Sequence, residues 1–102
     1  MKVVLTEEAL RNLEEIRSYL ANHYPGAAAK VEERIRAVFR RLEDWPESAQ
    51  SVADRPGVRK VPLVRYPYGI YYRIVDQTVE VLYIHHSARQ EPWADKPDSA
   101  AD

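Results

Sequence analysis

The chain has 102 residues and carries 15 Lys and Arg against 16 Asp and Glu, so its formal net charge is −1. This length fits one domain, and the absence of cysteine excludes a disulfide framework, a thiolate zinc site and a cysteine nucleophile. The apolar run at the N-terminus is too short for a signal peptide or a membrane span. We therefore expect a cytoplasmic protein without membrane contact.

The first half of the chain predicts a short strand followed by two helices. Residues 2–5 are apolar enough for a strand, and Thr6 is a suitable N-cap for a helix that ends at Pro25 and Gly26. A second helix is expected over residues 27–45. Both helices carry apolar residues at helical spacing. These are Ala9, Leu13, Ile16, Leu20 and Tyr24 in the first helix, and Ala28, Val31, Ile35, Val38, Phe39 and Leu42 in the second.

The short break between the helices predicts an antiparallel helical hairpin, whose apolar stripes need a sheet to cover. After it, residues 46–57 are interpreted as a polar loop bounded by prolines. The domain is expected to span residues 1–93. Residues 94–102 are small, polar and acidic, which predicts a disordered tail.

Residues 59–89 are rich in β-branched and aromatic side chains and predict three consecutive antiparallel strands. Asp76 and Gln77 form a two-residue hairpin loop, which predicts cross-strand pairs on shared faces of the sheet. The predicted pairs run from Val75 with Thr78 through Tyr72 with Val81 to Tyr71 with Leu82 and Ile70 with Tyr83. One face is then nearly all apolar, with Ile70, Tyr72, Ile74, Val79, Val81 and Tyr83, and His85 at its edge. The other face is expected to be open, with Tyr71, Arg73, Glu80, Leu82, Ile84 and His86.

The complete pattern predicts an α+β fold, in which a helical hairpin covers one face of an antiparallel meander. Three segments with this order resemble the RelE/ParE superfamily of type II toxin–antitoxin toxins. They are Pro56-Gly57-Val58-Arg59, the tyrosine-rich run over residues 66–72, and the final strand with its His86-Ser87-Ala88-Arg89 ending. The resemblance covers nearly the whole chain and implies the RelE/ParE fold.

The resemblance implies two different activities. ParE-like members poison DNA gyrase by binding, without a known catalytic centre, and RelE-like members cleave messenger RNA on the ribosome. For a ParE-like toxin it also implies a ribbon-helix-helix, ParD-like antitoxin that wraps the toxin with a helical arm. DNA contact is then expected only through the antitoxin, because the chain has no strongly basic helix face.

RNA cleavage requires a base, an acid and donors to the charged phosphorane. Lys60, Arg73, His86 and Arg89 are the candidates for these roles, and no cofactor is implied. Two observations favour the ParE-like activity. The RelE-like members that the sequence resembles carry a denser set of lysines and arginines, as docking to ribosomal RNA requires. They also tend to place a tyrosine shortly after the arginine that follows the last strand, and none follows Arg89 here. A third hypothesis is a non-toxic member of the superfamily that only binds a partner.

The candidate target-binding residues are Arg59, Lys60, Tyr71, Arg73, His86 and Arg89. Arg59 and Arg89 are expected at the edges of the open face. Simpler interpretations are that His86 caps a strand end and that Arg73 pairs with Glu80. His85 and His86 point to opposite faces and are not expected to chelate one metal ion. The candidate antitoxin-binding anchors are Tyr19, Tyr24, Trp45 and Trp93.

Overall fold

A computed structural model describes residues 1–87 of the chain. The first half contains strand β1 (Lys2–Leu5), helix α1 (Glu7–His23) and helix α2 (Pro25–Asp44). Thr6 caps α1 as expected, since its Oγ1 accepts a hydrogen bond from the backbone N–H of Ala9. Helix α2 begins two residues before the predicted start, because Pro25 occupies its first turn, where a missing N–H costs nothing.

The second half contains β2 (Gln50–Ser51), β3 (Val58–Pro62), β4 (Tyr68–Val75) and β5 (Thr78–His86). The five strands form one sheet in the order β1-β5-β4-β3-β2. The three-stranded meander of β3, β4 and β5 is confirmed, and β1 adds to its β5 edge in parallel. The predicted loop over residues 46–57 was wrong in part, since two of its residues form β2.

The helical hairpin packs on one face of the sheet, as the apolar stripes predicted. Its buried positions are Ala9, Leu13, Ile16 and Leu20 in α1 and Val31, Ile35 and Leu42 in α2. From the sheet, Val61, Ile70, Tyr72, Val79, Val81 and Ile84 join the same core. Tyr24 is the exception among the predicted stripe residues, with 58% of its surface exposed at the tip of the hairpin.

An ion pair on the outer surface holds the two helices in register. The guanidinium of Arg17 donates to both carboxylate oxygens of Glu32, at 3.0 and 2.6 Å. This hydrogen-bonded arginine lowers the pKa of the Glu32 carboxyl below its ordinary value.

Candidate functional site

The pairing of β4 with β5 decides which side chains meet on the open face of the sheet. Near the hairpin loop, the predicted pairs from Val75 with Thr78 to Tyr72 with Val81 are confirmed. Beyond them a β-bulge intervenes, and Leu82 is left without a partner on β4. Tyr71 therefore pairs with Tyr83, and Ile70 pairs with Ile84. The predicted pairs of Tyr71 with Leu82 and of Ile70 with Tyr83 were wrong, because a bulge adds one residue to one strand.

The extra residue reverses the faces of β5 after Leu82. Tyr83 and His85 now lie on the open face, whereas Ile84 is 2% exposed and belongs to the core. His86 pairs with Tyr68 on the helix-covered face, and the two rings meet edge to face with centroids 5.4 Å apart. The prediction that His86 shares the open face with Arg73 was therefore wrong. The run Val81-Leu82-Tyr83-Ile84, which lacks polar alternation, is the signal that could have indicated a bulge.

A row of three side chains crosses the open face at its centre, and its middle member, Tyr71, is buried there, with 3% of its surface exposed. Lys60 on β3 pairs with Tyr71 on β4, and Tyr71 pairs with Tyr83 on β5. The Lys60 ammonium lies 5.3 Å from the centre of the Tyr71 ring, within the range of a cation–π contact. The rings of Tyr71 and Tyr83 meet edge to face at 6.4 Å. We call this set, together with His85, the open-face cluster.

Lys60 is positioned by a glycine on the neighbouring strand. A Cβ atom at Gly69 would lie 2.7 Å from Cε of Lys60, so the lysine side chain lies across the space that glycine leaves. Gly69 in turn pairs with His85 on β5. Lys60 and His85 are thus held on either side of one glycine, and a tyrosine pair lies in the next row.

Arg73 also lies on the open face, but its charge is balanced there. Its Nε donates to Oε1 of Glu80, the residue opposite on β5, at 2.7 Å. This confirms the simpler interpretation of Arg73 as the partner of Glu80. Both side chains remain partly exposed, so the pair contributes on the order of 1 kcal/mol or less.

Arg59 does not flank the open face as predicted. It pairs with Tyr72 on the helix-covered side, and its guanidinium donates to the carbonyl oxygens of Ala49 and Glu47, at 2.7 and 3.1 Å. The Tyr72 hydroxyl donates to the carbonyl oxygen of Pro46 at 2.6 Å. Burial raises the pKa of this hydroxyl. These bonds tie the segment after α2 to the sheet, which makes Arg59 a structural residue in this arrangement.

An aromatic pocket lies where the tip of the helical hairpin approaches the loop between β3 and β4. Its volume is about 300 Å³. Tyr19 stacks on His23 with centroids 4.5 Å apart and lies 6.1 Å from Tyr24. Tyr68 and His86 form the sheet side of the pocket.

The four candidate antitoxin anchors do not form one patch. Tyr19 and Tyr24 are neighbours, but Trp45 follows the far end of α2, a helix of 20 residues and hence about 30 Å long. Trp93 and the candidate target-binding residue Arg89 lie outside the described residues.

Within residues 1–87, no group of three or more His, Asp or Glu side chains could hold a metal ion. The same part of the chain contains no helix that is long and apolar enough to span a membrane.

The family model described as ParE toxin of type II toxin-antitoxin system, parDE, matches residues 3–91. The chain belongs to the ParE toxin family. It is therefore a toxin of a type II toxin–antitoxin system within the RelE/ParE superfamily, as the sequence resemblance predicted. This ParE-family chain places its helical hairpin on one face of the sheet.

Two named relatives also carry toxin names. A Sinorhizobium fredii protein named as a candidate toxin, Y4kP, is 38% identical over 91 residues, which cover 85% of this chain and 88% of the relative. Toxin RelE2 of Caulobacter vibrioides is 32% identical over 88 residues, which cover 86% of this chain and 97% of that protein. Of these two names, only RelE2 refers to one branch of the superfamily.

Solved structures share the fold. A chain of the chromosomal ParDE system of P. aeruginosa has a TM-score of 0.72 and 24% identity, over 84% of this chain and 95% of that one. A chain of the intact E. coli RelBE toxin-antitoxin complex has a TM-score of 0.67 and 18% identity, over 86% and 98% of the two chains. At these identities the likeness concerns the fold alone.

Proposed function

We propose that this ParE-family toxin inhibits DNA gyrase by binding it, without chemistry of its own, and that a cognate antitoxin neutralises it. The observation that carries this proposal is the match of the ParE toxin model to residues 3–91, which include both helices and all of the sheet except Lys2. The ParDE system of P. aeruginosa, with its TM-score of 0.72, is consistent with it.

The charges of the open face support a protein target more than an RNA target. Binding to nucleic acid is driven by cationic side chains that neutralise phosphates. On the central strands of this face, the positive charge of Arg73 is opposed by Glu80. The ammonium of Lys60 lies beside the Tyr71 ring, and the chain as a whole has a net charge of −1. Aromatic residues flanked by a few charges are typical of protein–protein interfaces.

The proposed antitoxin is a ribbon-helix-helix, ParD-like protein, which would also supply any contact with DNA. Two of the solved relatives are named as parts of a ParDE system and of a RelBE toxin-antitoxin complex. Tyr19 and Tyr24 are our preferred anchors for its arm, because they are 48% and 58% exposed and adjacent to each other. Trp45 is 67% exposed and offers a second, separate contact.

The second candidate function is ribosome-dependent cleavage of mRNA, and the open-face cluster favours it. His85 is a natural base near neutral pH, Lys60 could stabilise the charge on a phosphorane, and Tyr71 and Tyr83 carry hydroxyl donors. The 32% identity to Toxin RelE2 is a further argument. In this alternative His85 takes the role that the sequence suggested for His86.

Parallel assays of gyrase supercoiling and of ribosome-dependent mRNA cleavage separate the two functions. We expect the purified chain to abolish supercoiling and to leave mRNA intact. The variants Lys60→Ala and His85→Ala test the open face, and Leu10→Ala, an exposed residue of α1, is the control. Intact supercoiling together with cleaved mRNA that depends on His85 would reverse our ranking. Inactivity in both assays would indicate a member that only binds a partner.

A further inference from the structure

A groove with two arginines on its rim lies between α2 and the end of β3. Its volume is about 190 Å³, and most of the side chains that line it are apolar. Val61 and Leu63 are buried at its floor, whereas Val64 is 62% exposed. We call this site the arginine groove and define it by Arg34 and Arg41 of α2 together with these three residues.

The two arginines of the groove carry charge that the fold does not neutralise. They are seven residues apart on α2, so they lie on one side of the helix, two turns or about 10 Å apart. Both are exposed, and within residues 1–87 neither guanidinium forms a hydrogen bond or an ion pair. By contrast, Arg36 on another side of α2 pairs with Glu32 at 3.8 Å. The groove therefore presents two positive charges to a partner.

The loop after β3 adds a third cation beside the groove. Arg65 follows Val64, is exposed, and has a φ of 75°, in the left-handed region that favours glycine. In the part of the chain that the structure describes, its side chain also has no hydrogen bond and no ion pair. Contacts within the fold therefore do not explain an arginine at this strained position, whereas a negatively charged partner would.

A proline at the edge of the sheet favours a helix over a strand as the occupant. β2 pairs with Arg59 and Lys60 only, so the rest of β3 has no strand on its outer side among the described residues. The N–H of Leu63 donates inward to the carbonyl oxygen of Tyr68. Successive residues of a strand point to opposite edges, so the outer position belongs to Pro62, which has no N–H to donate. A helix needs no such bond and contacts the groove through its side chains.

The arginine groove continues towards Trp45, which the proposed function gives to the antitoxin as a second contact. Trp45 caps the end of α2, four residues or about one turn after Arg41, and is 67% exposed. Tryptophan and arginine are enriched among the residues that dominate binding energy at interfaces. Arg34, Arg41 and Trp45 thus follow one another along one side of α2, with the apolar floor beside them.

We propose that the arginine groove binds a helix of the cognate antitoxin, and that Asp or Glu side chains seven residues apart on this helix pair with Arg34 and Arg41. This inference rests on the proposed function, since it concerns the same antitoxin, and it adds a site to the contacts at Tyr19 and Tyr24. Positive charge repels a basic helix, so the two arginines also discriminate between acidic and basic antitoxin arms.

Opposite charges at Val64 test the proposal. The probe is the antitoxin encoded beside this chain, and surface plasmon resonance measures its dissociation constant with the full-length chain. Val64→Asp and Val64→Lys both remove the apolar side chain from an exposed position, and they differ in charge. We expect Val64→Asp to bind the antitoxin about tenfold more weakly than Val64→Lys. Equal dissociation constants, or weaker binding by Val64→Lys, would overturn the proposal.

Arg41→Glu and Arg40→Glu make the same charge change at neighbouring positions of α2. Arg40 lies about 100° around the helix from Arg41 and does not line the groove. We expect Arg41→Glu to weaken antitoxin binding about tenfold or more, and Arg40→Glu to weaken it less than about twofold. Equal losses for these two variants would show that the groove is not the binding site.

Circular dichroism identifies any variant that has not folded, and the two variants of the exposed Val64 then decide the outcome. A wild-type chain that does not bind the antitoxin would overturn the proposed function together with this inference. A wild-type chain that binds it, with an affinity that none of the groove variants changes, would overturn this inference alone.

Discussion

The two faces of the sheet are built from the same strands but differ in almost every property. On the helix-covered face, Ile70, Tyr72, Val79 and Val81 are completely buried. On the open face, the neighbouring residues include Lys60, Arg73 and Glu80, which retain contact with solvent. Because successive side chains of a strand point to opposite faces, one stretch of sequence can supply both a core and a binding surface. Changes on one face should therefore affect stability, and changes on the other should affect function.

The largest effect is expected from shortening a buried side chain on the helix-covered face. Ile70 is 0% exposed at the centre of the sheet. Ile70→Ala should lower the free energy of unfolding by about 2–5 kcal/mol, because it removes apolar contacts and leaves a cavity. Urea unfolding measures this loss. The matched control is Val64→Ala, since Val64 is 62% exposed, and we expect a change within about 0.5 kcal/mol. Equal losses for the two variants would contradict the distinction between the faces.

Tyr72→Phe sharpens the comparison by removing one polar atom from the covered face. The hydroxyl that donates to Pro46 is lost, and we expect the free energy of unfolding to fall by about 1 kcal/mol at neutral pH. Burial raises the pKa of Tyr72, so the unfolded chain loses this proton at lower pH than the folded one.

The contribution of Tyr72 to stability is therefore complete below a pH of about 10, the ordinary tyrosine pKa, and declines as the pH rises through the pKa of the folded state. Tyr72→Phe should make the loss of stability above that pH less steep. Thermal unfolding between neutral and alkaline pH measures the slope, and an identical alkaline slope in both proteins would count against this assignment.

Deletion of Leu82 tests whether the bulge decides the faces of β5. Without Leu82, we expect Val81 still to pair with Tyr72. Tyr83 then follows Val81 directly in the chain and still pairs with Tyr71, so the two strands pair without a bulge and every side chain of β5 keeps its face. The deletion removes the 3.2 Å bond from the Thr6 hydroxyl to the Leu82 carbonyl, so we expect a loss of about 1 kcal/mol in chemical unfolding and a folded protein.

Leu82→Ala, which keeps the bulge, is the control for the lost side chain. A deletion variant that fails to fold, beside a folded Leu82→Ala, would mean that the bulge supports the domain in a way that the pairing does not explain.

The smallest effect on stability is expected from Gly69→Ala on the open face. The new Cβ would meet Cε of Lys60, a flexible side chain that can move aside, so the free energy of unfolding should change by about 0.5 kcal/mol or less. Inhibition of the target should nevertheless weaken, because Lys60 leaves its position over the Tyr71 ring. Gly26→Ala is the control, since nothing lies within 4 Å of its new Cβ. Unchanged inhibition by Gly69→Ala would show that the position of Lys60 is not needed.

Local patterns in the sequence determined most of the architecture. The apolar stripes at helical spacing identified both helices and their buried sides, and Thr6 marked the start of α1. The alternation of apolar and polar residues next to Asp76 and Gln77 identified the hairpin of β4 and β5, its first four pairs and the face that the helices cover. These features depend on neighbours in the chain, and such patterns are visible in the sequence.

Only the tertiary structure decided the composition of the candidate site. One extra residue at Leu82 moved Tyr83 and His85 to the open face and moved His86 into the aromatic pocket. Arg59 was placed on the covered side by carbonyl oxygens of the segment after α2, to which its guanidinium donates. Strand alternation is a two-residue repeat, so a single bulge reverses every later position, and contacts between distant segments leave no periodic signal in the sequence.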